Sequence, residues 1–208
     1  MPASEATLPD RSLRERLFER RPAPGGGPAP LRVVCIGGGT GLPAILAGMA
    51  RLARRSGSLP PLQLTAVVAM SDDGGSSGRL RREQGILPPG DVRNCLVALA
   101  DRRHRALARL FQYRFGAGRG LKGHALGNLF LSALHSLEGD FLGAIRRAES
   151  LLQCAGRVLP ATLEPVQLLG VLEDGSEIRG EHNFDRPRST TISRVELLPR
   201  APRATPGV

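Results

Sequence analysis

The chain has 208 residues with 41% hydrophobic content, enough for one domain with a buried core plus ragged ends. Its formal charge is +10, yet a single lysine, Lys122, stands among 29 basic residues, the arginines are scattered, and aromatics make up 3%. That balance argues against a base-stacking nucleic-acid surface and suits a small anionic ligand, and no apolar run reaches the roughly 18 residues a membrane span needs.

Residues 1–30 close on a run of proline, alanine and glycine from Pro22 to Pro30, which cannot bury enough surface to offset its ordering entropy. A disordered tail is expected there, with a short helical turn over Leu13 to Phe18. Leu31 to Ile36 is a short β-branched run stopped by glycines, the pattern of a strand buried on both faces. Leu42, Ile45, Leu46, Met49 and Leu52 then recur at helical spacing, with Pro43 tolerated in the first turn. After a turn over Ser56 to Pro61, Leu62 to Met70 predicts a second strand, parallel to the first because a helix crosses between them. Helices are predicted near Asp91 to Ala100, Arg103 to Tyr113, Ala125 to Leu137 and Asp140 to Leu152, the last stopped by Gly156. Asp174-Gly175 between Val166 to Leu172 and Ser176 to Gly180 signals a β-hairpin, and Thr190 to Leu197 suits one more strand. The expected class is α/β: an open, mostly parallel sheet with helices on both faces, plus a hairpin near residues 166–180. Residues 31–198 form the expected domain and 199–208 a second disordered tail.

Four segments could carry chemistry. Gly39-Thr40-Gly41-Leu42-Pro43-Ala44 fits G-x-G-x-x-A between a strand and a helix, where small residues let backbone amides approach a diphosphate. Gly37, Gly38, Gly39, Thr40, Gly41 and Leu42 are therefore candidate phosphate contacts; glycines needed only for the turn are the plainer alternative. Ser71 to Arg79 ends the second strand, beside the first loop in an open parallel sheet. Asp72 and Asp73 there could accept bonds from ribose hydroxyls or hold Mg²⁺, with Ser76, Ser77 and Arg79 beside them, although a solvated turn with a capping aspartate also fits. Asp91 sits at a predicted helix cap, which alone explains it, while Arg93 and Asn94 occupy a first turn able to face an anion. His124 and Asn128 lie one helical turn apart and could reach one ligand. No zinc set and no Ser-His-Asp or Cys-His arrangement is visible. Cys35, Cys95 and Cys154 form no CxxC pair and read as buried thiols, and the first thirty residues lack a secretory core, so a cytoplasmic location is expected.

Taken in order, Cys35 to Leu42, Ser71 to Leu80, Gly90 to Ala100, Leu110 to Phe115, Gly123 to Leu131 and Arg157 to Leu163 resemble the gluconeogenesis factor family, relatives of the 2-phospho-L-lactate transferases. The resemblance covers Leu31 to Pro199. It implies a Rossmann-like nucleotide-binding core, cytoplasmic location, and binding of UDP sugars such as UDP-N-acetylglucosamine, linked to cell shape and envelope synthesis on gluconeogenic carbon sources. It places phosphate at Gly38 to Gly41, substrate or metal at Asp72 and Asp73, and Asn94, His124 and Asn128 in the same cleft. The transferase relatives imply the alternative of a Mg²⁺-assisted transfer of a phosphorus-containing group. Family members continue past the point where this chain stops, so the domain is expected to be C-terminally incomplete. Partners implied are a UDP sugar or another nucleotide diphosphate, with homo-oligomerisation left open.

Overall fold

The computed structural model describes residues 29–54, 61–184, 186–187 and 189–208. The expected tail over residues 1–28, with its helical turn at Leu13 to Phe18, and most of the turn at Ser56 to Pro61 lie outside the described residues.

Three parallel strands form the first sheet in the order β1 (Leu31–Gly37), β2 (Leu62–Val68), β3 (Gly156–Pro160). Leu31 pairs with Leu62 and runs in register to Gly37 with Val68, and Leu64 pairs with Gly156. Alternation along each strand sends Leu64, Ala66, Val68 and Val158 into one core, together with Val33 and Cys35. On the opposite face of β1, Val34 and Ile36 are exposed. The expected β-α-β unit is present, with α1 (Gly41–Ala53) as its crossover. Its buried side is Leu42, Leu46 and Ala50, successive positions on one helical face.

Five helices lie between β2 and β3: α2 (Gly75–Gln84), α3 (Gly90–Leu99), α4 (Arg105–Gln112), α5 (Leu126–Glu138) and α6 (Phe141–Leu152). Val92, Cys95, Leu96 and Leu99 of α3 pack into the core of the parallel sheet. The Asp140 side chain accepts from Gly143 N at 2.6 Å and caps α6, as its position before an apolar run predicts. The predicted stop at Gly156 is corrected. Gln153, at φ +46°, takes the left-handed position after Leu152, and Gly156 opens β3 instead. A Cβ at Gly156 would lie 2.7 Å from Leu64 O, so glycine serves close strand approach there.

The second sheet is antiparallel, in the order β5 (Glu177–Arg179), β4 (Gln167–Leu172), β6 (Ile192–Leu198). The predicted hairpin at Asp174-Gly175 and the predicted final strand are its components. Gly175 adopts φ +80° and Asp174 accepts from Ser176 N at 2.9 Å, which fixes the turn. Residues 199–208 form no helix or strand, but Thr205 is buried and its N–H donates to Ala161 O at 2.9 Å. No helix among the described residues is long and apolar enough to cross a membrane. Cys95 is fully buried, Cys35 and Cys154 partly so, and burial pushes the Cys95 and Cys154 thiols up to about 12.

Candidate functional site

Both strand-end loops leave the sheet on the same side because β1 and β2 are parallel neighbours. Ala69 N donates to Gly37 O at 2.8 Å, extending the pairing beyond the strands and holding the glycine loop against the Asp72 loop. In the glycine loop, Gly39 adopts φ +59°, a conformation that favours glycine, and a Cβ at Gly39 or Gly41 would meet nothing within 4 Å. Gly39, Thr40 and Gly41 are all exposed. Leu42 is buried in the core and Thr40 makes no side-chain cap bond to α1.

The third wall comes from α3. Its predicted cap is corrected: Asp91 lies inside the first turn, Pro89 occupies the cap position, and no side chain caps the helix. The Asp91 carboxylate instead reaches across to accept from Gly39 N at 2.6 Å. A Cβ at Gly38 would lie 3.0 Å from the same oxygen. Burial, reinforced by the nearby charge of Asp72, raises the Asp91 carboxyl above the usual carboxylate range despite the Gly39 bond and the charge of Arg93.

Between the first turns of α2 and α3 opens a polar cavity of about 230 Å³. Asp72, Gly74, Gly75, Ser76 and Ser77 line one side, Gly90, Asp91, Arg93 and Asn94 the other, and Arg114 and Asn128 close it. Two helix N-termini face it, each carrying backbone N–H groups without intrahelical partners. Ser77 Oγ accepts from Gly90 N at 3.1 Å, tying the two helix starts together, and a Cβ at Gly90 would collide with that hydroxyl. Arg93 is 5% exposed and its Nε has no hydrogen-bond partner among the described residues. Its Nη1 donates to Asn128 Oδ1 and its Nη2 to Asn94 Oδ1, both at 2.8 Å. Burial lowers the Arg93 pKa, and the like charge of Arg114 lowers it further.

The sequence candidates separate into two sets. Asp72, Ser76, Ser77, Asn94 and Asn128 line the cavity. Gly37 to Leu42 lie outside its lining but are joined to it through Asp91. His124 and Asn128 do converge, though on Ser76 Oγ: His124 Nδ1 lies 3.0 Å from it and Asn128 Nδ2 donates to it at 3.0 Å. Both are buried, and together they brace the first turn of α2. Arg79 is spent elsewhere, donating to Lys122 O at 2.8 Å.

Asp72 and Asp73, adjacent in the chain, diverge. Asp72 faces the cavity and accepts from Gly74 N at 2.9 Å, bracing its own loop. Asp73 turns to the second sheet and accepts from His182 N at 3.1 Å, with His182 Nδ1 2.9 Å away. Burial presses the Asp73 pKa upward, but the bonds and charge of His182 together hold it below the ordinary value. The two carboxylates therefore do not form a chelating pair for Mg²⁺, and no cluster of three metal-ligating side chains exists among the described residues.

Asp91 and Arg114 are the charged lining residues that sequence reasoning did not assign to the ligand. Asp91 resembled an ordinary helix cap. Arg114 has no motif of its own, and reaches the site because it bridges antiparallel to Ala125 at the start of α5.

A family model described as 2-phospho-L-lactate transferase CofD matches residues 33–208. The chain is 45% identical over 168 residues to the gluconeogenesis factor of Halalkalibacterium halodurans, covering 81% of this chain and 49% of that protein. It is 42% identical over 168 residues to the gluconeogenesis factor of Bacillus subtilis, covering 81% and 50%. A crystal structure of a Bacillus halodurans protein superposes with a TM-score of 0.74 at 43% identity, covering 83% of this chain and 53% of that one. The chain thus spans about half the length of the relatives it matches. With the family model spanning residues 33–208 and the gluconeogenesis factors this similar, the chain belongs to the CofD family, alongside the gluconeogenesis factors.

Proposed function

We propose that the chain binds the diphosphate of a nucleotide sugar of the UDP type, as a cytoplasmic gluconeogenesis factor-like protein acting in cell shape and envelope formation during gluconeogenic growth. The observation that carries this reading is the polar cavity at the starts of α2 and α3, with buried Arg93 and the more exposed Arg114 in its walls and the exposed glycine loop beside it. Oriented N–H groups and guanidinium groups suit phosphate oxygens, and the low exposure of Arg93 strengthens its attraction for an anion. At about 230 Å³ the cavity is smaller than the ~300–1,000 Å³ typical of drug-sized ligands. It accommodates phosphate groups, leaving base and sugar to lie beyond it.

The description of the matching family model supports a second reading, a Mg²⁺-dependent transferase of phosphorus-containing groups. Asp72 and Asp91, the two carboxylates of the cavity, would be its acidic residues, in place of the Asp72-Asp73 pair.

A calorimetric or thermal-shift panel with UDP-N-acetylglucosamine, UDP-glucose, GDP and NAD, each with and without Mg²⁺, tests the choice. Saturating ligand at a hundred times its dissociation constant adds about 2.7 kcal/mol of stability. UDP sugars stabilising the chain without Mg²⁺ support the first reading. Strict Mg²⁺ dependence with product formation supports the second, and no response to any nucleotide removes both.

A further inference from the structure

We propose that the Asp91 carboxylate is a resident counter-ligand of the glycine loop, which a ligand phosphate must displace from Gly39 N–H in order to bind there. The inference rests on the diphosphate reading and adds how that site is gated.

The carboxylate makes no cap hydrogen bond to its own helix. It spends its hydrogen bond on an amide 52 residues earlier in the chain, at 2.6 Å, in the position a phosphate oxygen takes at such loops. Gly38 lets it come that close, because a Cβ there would sit 3.0 Å from Asp91 Oδ2. One N–H donates to one good acceptor, and two anions at the same donor repel, so carboxylate and phosphate exclude each other. The loop remains reachable from outside, for Gly39 and Gly41 have no neighbour where a Cβ would be. The displaced carboxylate also has somewhere to go. Asp91 already lines the cavity, where Arg93 and Arg114 offer positive charge and Asp72 is the opposing negative one. Phosphate arriving at the loop would therefore change the charge of the cavity, coupling the two halves of the site.

The test uses the full chain and inorganic pyrophosphate at neutral pH. Calorimetry compares wild type with Asp91→Ala and Asp91→Asn, the second keeping the shape should the first fold poorly. Displacement predicts that Asp91→Ala binds pyrophosphate about tenfold tighter, the scale of a hydrogen bond to a charged group, with Asp91→Asn intermediate. In the wild type, NMR should show the Gly39 amide resonance move on saturation, with Asp91→Ala starting close to its own saturated position. Equal or weaker binding by both variants, while UDP still binds wild type, overturns the displacement and leaves the diphosphate reading standing. If neither pyrophosphate nor UDP binds any of the three proteins, the diphosphate reading falls and the displacement falls with it.

Discussion

Arg93 and Asn128 meet through a 2.8 Å hydrogen bond buried between α3 and α5, and Asn128 hands the contact on to Ser76 in α2. Three helices are thereby fixed around one cavity by a single amide that is 1% exposed. Asn128→Leu would leave the Arg93 guanidinium short of a partner at Nη1 as well as at Nε. A buried charge deprived of an acceptor costs about 2–4 kcal/mol, so the urea midpoint should fall by a corresponding amount. Asn128→Asp keeps an acceptor toward Arg93 and should recover much of the loss. A wild-type midpoint in Asn128→Leu would show that the amide carries no such load.

The glycine loop offers a way to separate folding from binding. Gly39→Ala must hold a side chain at φ +59°, at a cost of about 1–2 kcal/mol read by thermal denaturation. Gly41 is free of that constraint and of steric neighbours, so Gly41→Val should leave stability within about 0.5 kcal/mol of wild type. Its side chain would nevertheless stand over the amides that phosphate is proposed to use. Gly41→Val is therefore expected to fold and lose the UDP-sugar response; a full response would place the diphosphate elsewhere.

The legible parts of this fold are those whose signal is local. β1, α1 and β2 follow from apolar runs punctuated by glycine, and the hairpin from Asp174-Gly175, because each is decided within a dozen residues. β3 escaped as a strand: its five residues include Arg157 and Pro160, and its partner β2 lies far back in the chain, so only tertiary pairing reveals it. The site divides the same way. Glycine and carboxylate loops at strand ends are visible in the sequence, and parallel pairing brings them together. That Asp91 bonds to Gly39 rather than to its own helix depends on how α3 docks, and no local pattern encodes docking. Asp72 and Asp73 diverge because neighbouring side chains in a non-helical loop point to different sides.

The second sheet acts on the site through His182. Its backbone and ring both engage Asp73, and Ser71 Oγ donates to Glu181 Oε2 at 2.6 Å, so the short 3₁₀ turn Glu181–Asn183 holds the loop from behind. Gly180 is required beside it, because a Cβ there would collide with Asp73 Oδ2. His182→Ala should therefore speed amide hydrogen exchange at residues 71–75 as well as at 180–184, with β1 and α1 unaffected. Since Asp73 titrates below its unfolded value, its contribution is present above pH 3.8 and lost as pH falls through the folded value. The variant should lack that part of the acid dependence. Unchanged exchange at 71–75 would show that the two sheets are not coupled there.

Glu149 sets a pH dependence of opposite sign. It lies near the end of α6 and accepts from Val158 N of β3 at 2.5 Å. Burial raises its pKa from 4.5 to about 7, against the lowering effects of the Val158 bond and of Arg157 and Arg146. The folded protein therefore holds a proton more firmly than the unfolded chain. Stability from this group is fully present below pH 4.5 and drains away as pH rises through about 7. Burial is incomplete, so the loss is of the order of 1–3 kcal/mol. Glu149→Gln keeps an acceptor for Val158 and cannot ionise. It should be more stable than wild type at pH 8.5, equal to it near pH 4.5, and flat in between where wild type declines. Urea unfolding at a series of pH values measures both curves; parallel curves for the two proteins would mean that Glu149 ionises in the fold as readily as in water.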